Sequence, residues 1–192
     1  MAPDYAFILK EEKQHFETGL KALNKLTSGK VYVGISQRQP IDVKNATSVI
    51  FDGPHPAGNV GIQINHIAPI DKGDTVWTMS ALDVLFIGRL FDKGIADFSR
   101  IVAVTGSEID DPHYVRTRIG ASIASITQGM VKAVEYEQRY ISGNVLTGVK
   151  TNADGYIGAT HSQITVIPEG NNYDEFLGWA SLNPHKYSTS HS

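Results

Sequence analysis

Residues 100–127 read RIVAVTGSEIDDPHYVRTRIGASIASIT, and this stretch decides the fold of the second half of the chain. Its apolar run over 100–106 predicts a strand that ends in a turn at a glycine. The acidic residues 107–112 predict a turn, and the alternating residues 113–119 predict the returning strand. A short helix is expected over 121–127, with two isoleucines directed inward. The stretch therefore predicts a β-hairpin followed by a helix.

The residues downstream of this stretch favour further strands. Alternation predicts strands over 135–141 and 161–167, separated by a glycine-rich stretch. A hairpin, a helix and then more strands is the order of a β-grasp domain, which we expect over 98–170. We place the domain boundary near Asp97, where the pattern changes, and we interpret residues 171–192 as the start of a further, truncated region.

The residues before this boundary alternate between helix and strand patterns. In chain order, the predicted elements are a helix over 11–26, strands over 30–35 and 48–51, and helices over 59–66 and 80–91. Ser80 is the expected N-cap of the last helix, Asp83 provides favourable charge in its first turn, and Gly94 ends it. Strands that alternate with helices predict a parallel α/β layer over residues 5–95.

The composition excludes several classes of protein. Hydrophobic residues make up 41% of the 192 residues, as in an ordinary globular protein. The net charge of -3, with 17 basic residues scattered among 20 acidic ones, argues against nucleic-acid binding. Cysteine is absent, which excludes disulfides, thiolate zinc sites and Cys-ligated iron–sulfur clusters. The longest apolar runs are far too short to cross a bilayer, so we expect membrane association to come through a partner.

The turn FDGPHPAGNVG at residues 51–61 is the main candidate site. Small residues before a helix could let backbone N–H groups approach an anion, but the spacing matches neither GxGxxG nor a Walker loop. We favour a stiff strand-to-helix turn, and we consider a positive φ for Gly58, where a β-branched residue would cost about 1–3 kcal/mol. The candidate anion-binding residues are Gly53, Pro54, His55, Pro56, Ala57, Gly58 and Gly61.

Other residue types point to contacts rather than to chemistry. Arg116 and Arg118 alternate on one strand face and are candidate partner contacts, with a solvated strand face as the equally weighted alternative. The seven histidines are scattered and predict no metal site, and no Ser/His/Asp arrangement stands out, so we expect no catalytic residue here. Trp77 and Trp179 are expected to be packing residues.

Several motifs resemble those of the A subunits of the sodium-translocating NADH:quinone reductases, the Nqr complexes. They are the turn over 51–61, the run RTRIGAS over 116–122, and the run RYISGNVLTG over 139–148. Shorter matches are YIG at 156–158, VIPEG at 166–170 and FLGW at 176–179. The resemblance covers nearly the whole chain in order, and the chain is identified as the central part of a longer member of this family.

The resemblance implies more than the residue patterns do. It implies that residues 1–97 are an incomplete Rossmann-like layer, similar to the flavin- and NADH-binding subunit of respiratory complex I, and that residues 98–170 are an SLBB-type β-grasp domain. It also implies a peripheral subunit on the cytoplasmic side of the bacterial inner membrane, with the other subunits of the Nqr complex as partners and quinone as a candidate ligand. By this resemblance, the candidate anion-binding residues of the turn over 51–61 are also candidate quinone-binding residues. By this resemblance, the complex uses NADH, flavins, an iron–sulfur cluster, ubiquinone and sodium through its subunits. This part of the chain is expected to carry no redox cofactor.

Two other functions remain open at the level of the sequence. The α/β half could be a free-standing nucleotide- or flavin-dependent enzyme domain, although the dinucleotide fingerprint is missing. The second half could be a free-standing soluble ligand-binding (SLBB) module. Fold analogy alone does not decide between these functions and a role within the Nqr complex.

Overall fold

The computed structural model describes residues 3–171, which form two sheets and five helices. The helices are α1 (Tyr5–Lys10), α2 (Lys13–Leu26), α3 (Val60–Ile67), α4 (Ala81–Lys93) and α5 (Ile123–Thr127). The strands are β1 (Tyr32–Ser36), β2 (Thr47–Phe51), β3 (Ser99–Thr105), β4 (His113–Arg118), β5 (Gln138–Ser142), β6 (Val149–Thr151) and β7 (Gln163–Pro168). The predicted helices and strands are present, with small shifts of their ends.

Local signals explain where α1 and α4 begin and end. The Asp4 carboxylate accepts hydrogen bonds from the first backbone N–H groups of α1. Ser80 and Asp83 form a capping box at the start of α4, as the sequence predicts, and Gly94 ends this helix in the left-handed conformation.

The helices α2 and α4 pack against each other through two glycines. A Cβ atom on Gly88 of α4 would overlap the backbone carbonyl of His15, and one on Gly19 of α2 would overlap the carbonyl of Val84. The absence of side chains at this crossing lets the two backbones approach closely. Together with α1, these helices form a core of Ile8, Leu9, Phe16, Leu20, Leu82, Val84, Leu85 and Phe86.

The second half is a five-stranded sheet with the order β4-β3-β7-β5-β6. The hairpin β3–β4 is antiparallel, and β3 also pairs in parallel with β7, which lies antiparallel to β5. This arrangement, with α5 between the hairpin and the later strands in sequence, agrees with the predicted β-grasp order. Its core consists of Val102, Val104, Ile109, Ile123, Ile126, Ile157, Ile164 and Val166. The strand β6, inside the glycine-rich stretch, was not predicted.

The buried Arg89 of α4 connects the first half to the second. Its side chain is 2% exposed, its Nη2 donates to Glu12 Oε1 at 2.7 Å, and its Nη1 donates to the backbone carbonyls of Asp97 and Ser99. These bonds fix the start of β3 against the helices. Burial is the largest single influence on the pKa of Glu12 and raises it, but the hydrogen bond and charge of Arg89, together with the charges of His15 and Lys93, outweigh burial and lower the pKa overall.

The remaining part of the first half is open. The strands β1 and β2 pair in parallel and form a separate two-stranded sheet, and α3, which follows them, has no buried residue. Two parallel strands agree with the expected α/β layer, whereas the more specific Rossmann-like assignment stays a prediction. No helix within residues 3–171 is long and apolar enough to cross a bilayer.

The expected packing of Trp77 was wrong, and the positive φ considered for Gly58 is not present. Trp77 is 89% exposed instead of packed, because it lies in the connection 68–80, where every residue is exposed. Gly58 does not have a positive φ; in the turn over 51–61 that conformation belongs to Gly53, with φ 137°. Trp179 and the motif at 176–179 lie outside the described residues.

Candidate functional site

The turn between β2 and α3 is held mainly by its own backbone. The N–H of Ala57 donates to the carbonyl of Pro54 at 3.0 Å, and the N–H of Asn59 donates to the carbonyl of Pro56 at 2.8 Å. The peptide between His55 and Pro56 is cis. Gly53, two residues after the end of β2, has the positive φ of this turn, a conformation that glycine adopts readily. The structure therefore contains the turn expected from the sequence between β2 and α3, with Gly53 at positive φ.

This turn forms one wall of an open pocket of about 220 Å³. The pocket lies at the carboxyl ends of β1 and β2, which is the edge at which parallel α/β sheets bind ligands. Its lining residues are Gly34, Ile35, Ser36, Arg38, Phe51, Asp52, Gly53, Ala57, Gly58 and Gln63. The volume is below the roughly 300–1,000 Å³ of typical small-molecule sites, so it suits a small head group better than a dinucleotide.

The structure brings together only part of the predicted site. Gly53, Ala57 and Gly58 line the pocket. Pro54, His55, Pro56 and Gly61 are exposed residues of the turn and the start of α3, and they are not among the lining residues.

The other lining residues were not predicted as site residues; they are Gly34, Ile35, Ser36, Arg38, Phe51, Asp52 and Gln63. Gln63 of α3 donates to the carbonyl of Ala57 at 3.3 Å, and a Cβ atom on Gly34 would overlap the Gln63 amide. A glycine inside a predicted strand signals such a close approach, so Gly34 could have been found from the sequence.

The pocket combines apolar walls with a few polar groups. Arg38 is the lining cation and Asp52 the lining carboxylate, while Ile35, Phe51 and Ala57 supply apolar surface. A guanidinium, a Gln amide and backbone N–H groups can donate to carbonyl or anionic oxygens. The arrangement can bind a small oxygen-bearing head group, and its lining residues include no nucleophile paired with a base.

The two predicted contact arginines lie on β4, away from this pocket. Arg116 Nη1 is 3.7 Å from Glu12 Oε1, and its side chain is 54% exposed. Arg118 is exposed and lies opposite Ser99 of β3. Arg116 therefore has an internal partner, while both arginines still present charge to solvent.

The other polar clusters of the described residues have structural roles. Residues 3–171 contain no group of three His, Asp or Glu residues that could hold a metal ion. Ser142 Oγ lies 2.8 Å from His161 Nδ1 and accepts from the N–H of Gly158. Ser142 is only 4% exposed, so its hydroxyl holds the turn at Gly158 and is not accessible to a substrate.

The two carboxyls with the largest pKa shifts also lie at structural positions. Hydrogen bonds from Ser99 lower the pKa of Asp97 to about 2, next to Arg89. Hydrogen bonds from Arg139 and Lys150 lower the pKa of Glu169 to about 2. Both carboxylates fix strand ends of the five-stranded sheet, and neither lines the pocket.

Comparison with known proteins identifies related sequences over the whole chain. Residues 1–96 match the family model described as the NqrA second alpha/beta domain, and residues 101–153 match the model of the NQRA C-terminal domain, NQRA_SLBB. The A subunit of the Na(+)-translocating NADH-quinone reductase of Neisseria meningitidis is 40% identical over 192 residues, that of Hahella chejuensis 41% over 195, and that of Yersinia pestis 40% over 192. Each match covers 98% of this chain but only 42% of the relative.

Proposed function

We infer the function from the family: the chain belongs to the NqrA family, and we propose that it is the central part of the A subunit of a sodium-translocating NADH:quinone reductase. In this proposal the assembled complex transfers electrons from NADH to ubiquinone and exports sodium. The chain lies on the cytoplasmic side of the inner membrane within a peripheral subunit, and its partners are the other subunits.

Under the same proposal, this part of the polypeptide binds no redox cofactor. Two features of the sequence support this: it has no cysteine to ligate an iron–sulfur cluster, and it has no dinucleotide fingerprint. In this proposal residues 1–97 belong to a Rossmann-like layer and residues 98–170 to the SLBB domain. We expect the purified chain to be colourless; stoichiometric flavin in it would favour the alternative of a flavin-dependent enzyme domain.

We further propose that the pocket next to the turn over 51–61 binds the quinone head group or a small anion. The observation that carries this proposal is the position of the pocket at the carboxyl ends of two parallel strands. Arg38 is the cation that would donate to a quinone carbonyl or an anionic oxygen, and Phe51 and Ile35 would contact an apolar ring.

The test is quinone reduction by the assembled complex that contains the full-length polypeptide. We expect Arg38→Met to raise the KM for quinone about tenfold or more, since a charge-assisted hydrogen bond contributes about 1.5–3 kcal/mol. Oxidation of NADH with an artificial electron acceptor should not change, because electron entry lies in other subunits under this proposal.

His55→Ala is the matched control for this experiment. His55 lies in the same turn but is exposed and outside the pocket lining, so quinone reduction should remain near the wild-type rate. Unchanged quinone kinetics in Arg38→Met would contradict the proposed site. If His55→Ala lost quinone reduction in a folded and assembled complex, the His55 imidazole would be part of the quinone site instead.

Arg116 and Arg118 are the proposed contacts to an acidic surface of another subunit. Arg118 is the better probe because Arg116 also holds Glu12. We expect Arg118→Glu to weaken assembly of the complex without unfolding the chain, as measured by co-purification of the other subunits.

A further inference from the structure

The connection between α3 and α4, residues 68–80, is unusual for a compact domain. It is the longest stretch within residues 3–171 without a helix or strand, and every residue in it is exposed. Connections of this length are uncommon in compact domains and usually either have a function or serve as linkers. Its exposed apolar side chains are Ile70, Val76, Trp77 and Met79.

Residues 75–79, TVWTM, have the composition of a β-strand. They contain β-branched and aromatic side chains, and they lack charge, proline and glycine. Both ends of this segment are fixed by local structure. Before it, the N–H of Asp71 donates to the Asp74 carboxylate at 2.9 Å, and after it Ser80 caps α4. The segment is therefore an anchored, uncharged strand sequence without a strand partner in the described chain.

The neighbouring sheet is open as well. Among the described residues, β1 and β2 pair only with each other, so the outer edge of each strand presents unpaired backbone groups. Parallel sheets are normally larger than two strands and covered on both faces. Ile50 of β2 and Val60 and Ile62 of α3 add exposed apolar surface to the same half of the chain.

The relatives contain further polypeptide that is a candidate to cover this half. The chain spans 42% of each relative, so more than half of each polypeptide lies outside the matched region. The model that matches residues 1–96 is described as the second alpha/beta domain, which places another domain in the same polypeptide. A covalently linked segment has an effective concentration in the millimolar range, well above that of a second copy or a separate subunit.

We propose that residues 75–79 form a β-strand by pairing with a strand from the part of the longer polypeptide outside this sequence, which also covers Trp77. The inference rests on family membership and on the exposed segment, and it is independent of the proposed quinone site. The absence of charge in the segment calls for an uncharged, apolar strand as its partner.

Amide hydrogen exchange followed by mass spectrometry tests this pairing. It compares the 192-residue chain with a full-length polypeptide in which this sequence replaces the matched segment of the Neisseria meningitidis relative. We expect peptides covering 75–79 to exchange rapidly in the chain and about 100-fold more slowly in the full-length polypeptide. Peptides from β3 should be protected in both and serve as the internal standard for folding.

The variant Trp77→Asp provides a second measurement. It should leave the stability of the 192-residue chain unchanged, because Trp77 is 89% exposed there, and it should abolish the protection of 75–79 in the full-length polypeptide. Leu146→Asp, at an equally exposed residue of the β5–β6 loop, is the control and should leave that protection intact.

Three results would overturn the inference. The first is protection of 75–79 in the monomeric 192-residue chain, and the second is protection that appears only when this chain dimerises. The third is rapid exchange in the full-length polypeptide, with β3 protected, that slows only after the other subunits are added, since the partner strand would then belong to another protein.

Discussion

The helices α3 and α4 are both apolar, yet their surroundings differ completely. Six residues of α4 are buried, whereas α3 has none. The apolar content of the two helices does not explain this difference in burial. α4 packs against α2 and the start of β3, whereas α3 contacts the small β1–β2 sheet. A stretch of apolar sequence becomes core only where the same chain supplies a partner.

Stability should therefore be distributed unevenly over the chain. The packed part, made of α1, α2, α4, α5 and the five-stranded sheet with its connections, contains both clusters of buried hydrophobic residues. The open part, β1, β2, α3 and the connection 68–80, should open locally at lower cost, because few of its apolar contacts are buried. Matched substitutions in the two parts can test this contrast.

The largest expected effect is at the crossing of α2 and α4. We expect Gly88→Ala to destabilise the chain by about 3 kcal/mol, because the added methyl would overlap the backbone of His15, which cannot move by a rotamer change. Gly61→Ala in α3 has open space and should stabilise by about 0.5 kcal/mol through helix propensity. Urea unfolding monitored by circular dichroism measures both. Equal effects would mean that α3 is as tightly packed as α4.

The next effect distinguishes two glycines of the pocket turn. Gly53→Ala should cost about 2 kcal/mol, because φ 137° is accessible almost only to glycine. Gly58→Ala should change the free energy of unfolding by less than about 0.5 kcal/mol, since its Cβ would meet nothing within 4 Å. Thermal unfolding of both variants is the measurement. A larger loss at Gly58 than at Gly53 would support the positive φ that we considered for Gly58 in the sequence.

Local signals were sufficient to predict much of this fold. Ser80, Asp83 and Gly94 mark the ends of α4 within a few residues, and the hairpin β3–β4 follows from alternation on either side of an acidic turn. The prolines and glycines over 51–61 are enough to predict the turn between β2 and α3. These predictions succeeded because each depends on neighbours in the chain.

The failures share a different physical cause. Trp77 was expected to be a packing residue, but packing depends on a partner surface that the described residues do not provide. Arg89 and Glu12 are 77 residues apart, so no local pattern reveals their ion pair. Arg38 and Gln63 join the pocket only because β1 lies beside β2 and α3. Long-range pairing decided the site, and the single-sequence pattern does not contain it.

The third prediction compares the caps of the same two helices. Ser80→Ala should cost about 1 kcal/mol, because the hydroxyl accepts from the N–H of Asp83 within a capping box. Asn59→Ala at the start of α3 should be close to neutral, since the Asn59 side chain makes no capping hydrogen bond. Chemical denaturation at neutral pH checks both. A cost at Asn59 equal to that at Ser80 would show that α3 is capped in solution.

The smallest effect concerns two carboxylates that form ion pairs of similar length in different surroundings. In the packed part, Glu169 is 8% exposed and lies 2.8 Å from Arg139 and 2.6 Å from Lys150. At the edge of the open part, Asp42 is 72% exposed and lies 2.6 Å from Lys13. Exposed pairs contribute little because solvent and salt screen them. Glu169→Gln should therefore destabilise more than Asp42→Asn.

The pH dependence of this difference follows from the sign of the Glu169 shift. Its pKa falls from 4.5 to about 2 in the folded chain, so the folded state favours the ionised form. The contribution of Glu169 is therefore complete above about pH 5 and is lost as the pH falls toward 2. Because Glu169→Gln cannot ionise, the wild-type and variant melting temperatures should differ most at neutral pH and converge in acid. If this difference in melting temperature stayed constant from about pH 7 to about pH 2.5, the carboxylate charge would not hold β7 to β5 and β6. As the control, Asp42→Asn should change the melting temperature little at any pH in this range.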